Sequence, residues 1–263
     1  MKDIMEILTG SLYDYPKYYD LVFGSDCQSE LEFLNGTFEK YAKRKVKKLF
    51  EPACGTGRLL NRLAQQEFQV SGLDLNPHAV DFCNKRLVKR GFPAGAFVGD
   101  MADFQLKKRV DAGFNLINSF RHLASDAQAL SHLECMAASI SKGGLYLLAM
   151  HLSPTKGDPI ETESWSARRG NLAVNTHMWI INRDTKKRNE HIGITFDIYT
   201  PLRHFKINDT MDYRTYTAKQ MEKLIARAPN WEIVGVHDFT YDIDEQIDIG
   251  PETEDVVYVL RKR

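Results

Sequence analysis

The residues best placed to do chemistry stand in one short run, Glu51-Pro52-Ala53-Cys54-Gly55-Thr56-Gly57-Arg58. An acid closes an apolar stretch, a glycine-rich turn follows, and the helical pattern of Leu59, Leu60 and Leu63 begins at once. Gly55 and Gly57 let the backbone turn tightly and approach a ligand with no Cβ in the way. A dinucleotide fingerprint would need glycine at position 60, where the chain has Leu60, and Gly57-Arg58-Leu59 does not supply the G-K-[ST] of a phosphate loop. An NAD(P) oxidoreductase is therefore set aside.

Three further groups recur where successive strands should end. Asp74 closes Val70-Ser71-Gly72-Leu73, about twenty residues past the glycine turn, where a carboxylate accepts both hydroxyls of a ribose. Asp100-Met101 follows the next apolar run; an acid beside an apolar side chain suits adenine, whose amine donates while its ring packs. Asn118-Ser119-Phe120-Arg121-His122-Leu123 follows the fourth run. Four such groups at four successive strand ends describe a binding edge.

The elements that must position them are legible as alternating runs. Val46–Phe50, Phe68–Leu73, Ala94–Val98, Ala112–Asn118 and Leu145–Met150 read as strands, with helical patterns over Leu59–Gln66, Pro77–Arg90 and Ala127–Ser139. Strand alternating with helix predicts a parallel sheet covered on both faces. Asn76-Pro77 marks a helix start, and Gly91 and Gly143-Gly144 are expected to stop helices. After His151 the period changes to two: Ile192, Ile194, Phe196 and Ile198 share one face, as do Leu172, Val174, Met178 and Ile180, with a polar turn at 182–186 between them. This predicts an antiparallel hairpin. A helix at Thr217–Ala228 and strands at Trp231–Phe239 and Val256–Leu260 close the chain, and the acidic segment 241–255 reads as a solvated hairpin tip.

Composition narrows the class. The 263 residues carry 35 Lys and Arg against 35 Asp and Glu, without the basic excess expected of a duplex-binding protein. No apolar run approaches the roughly 20 residues that span a bilayer. The 4 cysteines are scattered and read as reduced thiols, Cys54 as a packing residue, so a cytoplasmic protein is expected.

Together these motifs resemble the class I S-adenosylmethionine-dependent methyltransferases. The resemblance implies an α/β fold: a Rossmann-like, seven-stranded, mostly parallel sheet with helices on both faces, its last strand antiparallel, plus a small antiparallel sheet inserted after strand 5. It divides the chain into an N-terminal helical cap (1–44), an S-adenosylmethionine-binding domain (45–152 and 217–263) and the insert (153–216). Glu51 and the backbone from Gly55 to Gly57 would hold the methionine moiety, with Ala53 and Arg58 beside them; Asp74 and Leu75 would hold the ribose, Asp100 and Met101 the adenine, with Asn118 completing the edge. No metal is implied.

The N-methyltransferases of sugar amines and of glycine are the most similar members. They carry a Tyr-x-x-x-Tyr-Asp matched by Tyr15 to Asp20, and a Ser-x-x-His-Leu matched by Ser119 to Leu123. Asn118-Ser119-Phe120-Arg121 departs from the Asn/Asp-Pro-Pro-aromatic motif of nucleobase and glutamine methyltransferases. The expected partner is a small-molecule methyl acceptor, with an amine nitrogen as the target and no nucleic acid or membrane; a homodimer is expected through the insert. The alternatives are an O-methyltransferase of a small acid or hydroxyl compound and a non-catalytic cofactor-binding member. His122 is the candidate catalytic base and His151 a second; Tyr15 and Tyr19, one helical turn apart, are expected over the sulfonium. Trp165, Arg168, Arg169, His177 and Trp179 are candidates to line the acceptor pocket. Because the cofactor motifs all precede the insert, deleting 161–213 is expected to spare cofactor binding while ending methyl transfer.

Overall fold

The structure, a computed structural model, describes residues 6–24, 26–157 and 159–263. Strand β1 (Glu6–Thr9) and a short 3-10 turn (Leu12–Asp14) lead into α1 (Pro16–Gly24) and α2 (Gln28–Tyr41). The alternating part follows as β2 (Lys48–Pro52), α3 (Arg58–Gln65), β3 (Gln69–Asp74), α4 (Pro77–Lys89), β4 (Ala96–Val98), β5 (Val110–Asn115), α5 (Asp126–Ser139) and β6 (Ile140–His151). Four long strands come next: β7 (Thr162–Arg169), β8 (Leu172–Asp184), β9 (Asn189–Tyr199) and β10 (His204–Arg214). Helix α6 (Ala218–Ala226), β11 (Trp231–His237) and β12 (Asp255–Lys262) end the chain.

The larger sheet has the order β11-β12-β6-β5-β2-β3-β4, with β12 antiparallel to both neighbours. Strand β6 shows why its sequence is apolar throughout. Tyr146, Leu148 and Met150 enter one core, with Leu133 and Met136 of α5 and Leu224 of α6. Leu145, Leu147 and Ala149 enter the opposite core, with Leu31 and Leu34 of α2, Leu59 and Leu63 of α3 and Leu87 of α4. A strand buried on both faces has no polar positions to alternate with. Helix starts follow their caps: the Asn76 side chain accepts from His78 N and Ala79 N behind Pro77, and Thr217 forms a capping box with Gln220. Gly143 and Gly144, by contrast, stop no helix. Helix α5 already ends at Ser139, and Gly143, with φ +76°, lies inside β6 where its register against β5 shifts.

The second sheet has five strands in the order β1-β10-β9-β8-β7. Its inner face (Val174, Ile194, Phe196, Ile198, Ile207) packs on Leu12 and on Leu21 and Val22 of α1. The N-terminal segment is therefore more than the expected helical cap: α1 and α2 are helices, but a strand precedes them. Glu6–Thr9 pairs in parallel with Phe205–Asn208 and supplies an edge strand, too short for its periodicity to announce it.

Candidate functional site

Strand order reverses between β2 and β5, and ligands of open α/β sheets bind beyond the carboxyl ends at such a point. There the turn after β2 holds three positive φ angles, Ala53 at +53°, Gly55 at +51° and Gly57 at +67°. The two glycines serve different ends. A Cβ on Gly57 would stand 2.3 Å from Cys83 Sγ, so Gly57 is demanded by packing. A Cβ on Gly55 would meet only the Tyr19 ring at 3.8 Å, so Gly55 is demanded by its φ and by the open space it borders. Asp74 fastens the turn: Oδ2 accepts from Gly55 N at 2.8 Å and Oδ1 from Asn76 N at 2.9 Å. Burial raises its pKa, and those two N–H groups oppose the rise.

Glu51 is buried, and its Oε2 finds no hydrogen-bond partner among the described residues. Burial pushes its carboxyl well above 4.5, with the Arg58 charge opposing. Arg58 itself is engaged elsewhere, donating to Glu30 Oε1 on α2. Glu51, Ala53, Gly55, Arg58, Asn115 and Tyr19 line a small chamber here.

Beyond it opens a cleft of about 1130 Å³. One end is lined by Ala53, Gly55, Asp74, Leu75, Met101, Asn118 and Tyr19, the other by His151, Ile160, Glu163, Trp165, Met178 and Tyr213. Leu75 is 69% exposed at the rim, an apolar face without a protein neighbour to cover it. Three of the expected residues are placed differently. Asp100 is not among the residues that line the cleft and accepts from Ala102 N at 2.8 Å through Oδ1, while Met101 lines it. Asn118 reaches the lining in a left-handed conformation, but its Oδ1 accepts from His151 N at 2.9 Å and ties the ends of β5 and β6 together. Tyr15 packs under the second sheet; Tyr13, carried by the 3-10 turn, takes the expected place beside Tyr19, their rings 5.3 Å apart. In the insert, Trp165 lines the cleft, whereas Arg168 donates to Gly170 O, Arg169 reaches Asp20, and His177 and Trp179 stack together on the other face.

The two histidines differ in surroundings. His122 opens on the cleft between Tyr13, Tyr213 and Arg121, its Nε2 lying 3.0 Å from the Tyr13 hydroxyl. Desolvation, aided by the Arg121 charge, lowers its pKa to about 4, which makes it a weak proton acceptor at neutral pH. His151 has Nδ1 2.6 Å from Asp255 Oδ1, an arrangement that fixes the ring and leaves Nε2 for a ligand. The segment 241–255 is more than a solvated tip: Tyr241 donates to Leu116 O, its ring stacks on Phe239, and both rings wall the cleft. Sequence reasoning passed over Tyr13, Glu163, Phe239, Tyr241 and Asp255. For Tyr13 a signal existed, a third tyrosine ahead of the Tyr15–Asp20 motif; the others depend on contacts between distant strands.

Comparison with known proteins bears on the domain and its fold. Residues 50–144 match a family described as a methyltransferase domain. A dTDP-3-amino-3,6-dideoxy-alpha-D-glucopyranose N,N-dimethyltransferase of Streptomyces fradiae is 29% identical over 159 residues, 59% of this chain and 60% of that protein. The chain thus spans less than two thirds of that relative's length. A crystal structure of an S-adenosylmethionine-dependent methyltransferase from Clostridium acetobutylicum superposes with a TM-score of 0.76 at 14% identity, covering 94% of this chain and 97% of that one. The sugar N-methyltransferase KedS8 from a Streptoalloteichus species gives 0.70 at 19% identity over 97% and 94%. Both likenesses establish the fold.

Proposed function

We propose that the chain, whose residues 50–144 match a methyltransferase domain, is a class I S-adenosylmethionine-dependent methyltransferase that methylates an amine nitrogen of a small molecule. The carrying observation is the single cleft of about 1130 Å³ that joins the strand-end residues to the face of the inserted sheet. It exceeds the roughly 300–1,000 Å³ of an ordinary single-ligand site, so cofactor and acceptor fit side by side. The residues present suit the cofactor. The unpaired Glu51 oxygen matches the ammonium of its methionine end, Asp74 retains acceptor capacity toward ribose hydroxyls, and Leu75 and Met101 offer apolar faces to adenine. Bound there, S-adenosylmethionine supplies a methyl group activated on a sulfonium.

Glu51 gives this reading a pH signature. In the free protein its raised pKa means that the folded state holds the proton more tightly than the unfolded chain, so ionisation costs stability as pH rises above 4.5. An ammonium in the chamber favours the carboxylate instead. Binding of S-adenosylhomocysteine should therefore release a proton from Glu51 and tighten as pH rises. Calorimetry in buffers of different ionisation enthalpy measures that release, and Glu51→Gln should abolish it while weakening binding about tenfold or more. Unchanged proton release in Glu51→Gln would remove Glu51 from the site.

Transfer forms an N–C bond as the S–C bond breaks, in line, so orientation is the protein's main contribution and supplies about 7–11 kcal/mol. The acceptor must present a lone pair, and an alkylammonium must first lose its proton. His122 is poorly suited to take it, for the reasons of environment given above. His151, oriented by Asp255, is the better candidate. The test is turnover of an amine panel, read as S-adenosylhomocysteine formation and gain of a methyl mass, across pH. His151→Ala should slow transfer by about 10²–10⁴ below the acceptor's own pKa and approach wild type above it. Absence of turnover with intact S-adenosylhomocysteine binding would instead make the chain a non-catalytic member. The rest of the reading is a small-molecule partner without nucleic acid or membrane, a homodimer, and a cytoplasmic setting supported by four free thiols. No helix among the described residues is long and apolar enough to cross a membrane.

A further inference from the structure

The acceptor end of the cleft is made by the inner face of the inserted sheet. Register places Glu163 of β7 opposite Met178 of β8, and Met178 opposite Ile194 of β9. All three line the cleft, so a carboxylate stands in a row of apolar side chains. Trp165, Met211 and Tyr213 complete the wall around it. Glu190 of β9, two strands away, is neutralised by Arg121 and Arg183. Glu163 has no such cation beside it among the described residues, and it is half-buried, turned to the cavity.

The basic side chains of this region are committed elsewhere. Arg169 reaches Asp20, and Arg188 and Arg214 both hold Asp126. Among the described residues the cleft lining contains neither Lys nor Arg; its fixed charges are Asp74 and Glu163. Recognition of a phosphate or carboxylate calls for Arg, Lys or a cluster of N–H donors. This wall offers the reverse.

We propose that the acceptor is an amine carried on an uncharged apolar or aromatic body, that Glu163 docks its ammonium, and that amines bearing phosphate or carboxylate are rejected. The inference rests on the methyl-transfer reading and departs from the nucleotide-linked amino sugar named for the Streptomyces fradiae relative. His151 lines the same cleft as Glu163, and the two arginines of the adjoining chamber, Arg121 and Arg183, are both paired with Glu190. A docked ammonium can thus pass its proton to His151, after which the nitrogen lone pair forms the new N–C bond and the S–C electrons leave on sulfur.

Three probes test it by equilibrium binding in the presence of saturating S-adenosylhomocysteine: 2-phenylethylamine, a dTDP-linked amino sugar and glycine. The wild-type protein should bind 2-phenylethylamine and show no measurable affinity for the other two. Glu163→Gln should weaken 2-phenylethylamine at least about tenfold and leave S-adenosylhomocysteine affinity unchanged. Three results would overturn the proposal: tighter binding of the dTDP sugar or of glycine, no binding of 2-phenylethylamine, or its unaltered binding by Glu163→Gln. Failure of the wild-type protein to bind S-adenosylhomocysteine at the outset would overturn the methyl-transfer reading instead, so the two failures are told apart.

Discussion

Replacing Asp20 by Ala should destabilise the protein by about 3–5 kcal/mol, the cost of breaking a buried ion pair from one side. Asp20 on α1 is fully buried, yet no ligand is needed to explain it. Oδ1 accepts from Thr56 Oγ1 in the glycine turn at 3.2 Å, and Oδ2 from Arg86 of α4 at 2.6 Å and from Arg169 of β7 at 3.3 Å. One carboxylate thus joins the N-terminal helix, the turn, a sheet-covering helix and the inserted sheet. Its removal leaves Arg86, only 20% exposed, without a counter-charge. Denaturant unfolding measures the loss, and S-adenosylhomocysteine affinity should fall with it, because Thr56 is no longer anchored. Asp20→Asn, which keeps one acceptor and the shape, should lose less. A loss below about 1 kcal/mol, the range of an exposed pair, would show that the node carries no load.

Asp20 also illustrates what a sequence displays and what it hides. The Tyr15–Asp20 pattern was visible, and a resemblance pointed it at the cofactor; the fold assigns its acid to architecture and its first tyrosine to the underside of the second sheet. The strand-end groups Glu51, Gly55 and Asp74 were legible because each is fixed by its own strand and turn, within a few residues of chain. The apolar runs were legible for the same reason, since a strand buried on both faces announces itself by composition alone. What stayed hidden is set by partners far along the chain. The weakness of His122 comes from its burial, in contact with Tyr13 and Tyr213 and with the Arg121 charge beside it, and the orientation of His151 from Asp255. The acidic segment hid its function for a related reason: Phe239, Tyr241 and Ile243 alternate with polar residues, and only Phe33 of α2 and Leu116 beyond β5 reveal which side faces in.

The insert reverses an expectation in a way that can be measured. Motif order alone makes 161–213 look removable, because every cofactor residue precedes it. Packing says otherwise. β1 has β10 as its hydrogen-bonded neighbour, and Leu12 and Leu21, each 1% exposed, are covered by residues of β8, β9 and β10. Deleting 161–213 should therefore leave a chain that neither folds nor binds S-adenosylhomocysteine, because α1 loses its apolar floor and Asp20 loses Arg169. A point variant makes the same case without removing chain. Phe196 is fully buried among Val174, Ile207 and Phe23, its ring 6.4 Å from that of Phe23. Phe196→Ala should cost about 3–5 kcal/mol in unfolding free energy. It should also weaken S-adenosylhomocysteine, although Phe196 does not line the cleft, because Phe23 packs on Tyr19 with ring centroids 4.6 Å apart, and Tyr19 stands over Gly55. Circular dichroism and calorimetry decide both points. A soluble, folded deletion variant with wild-type affinity would restore the view of a detachable cover. The expected result makes the second sheet a structural half of the cofactor site.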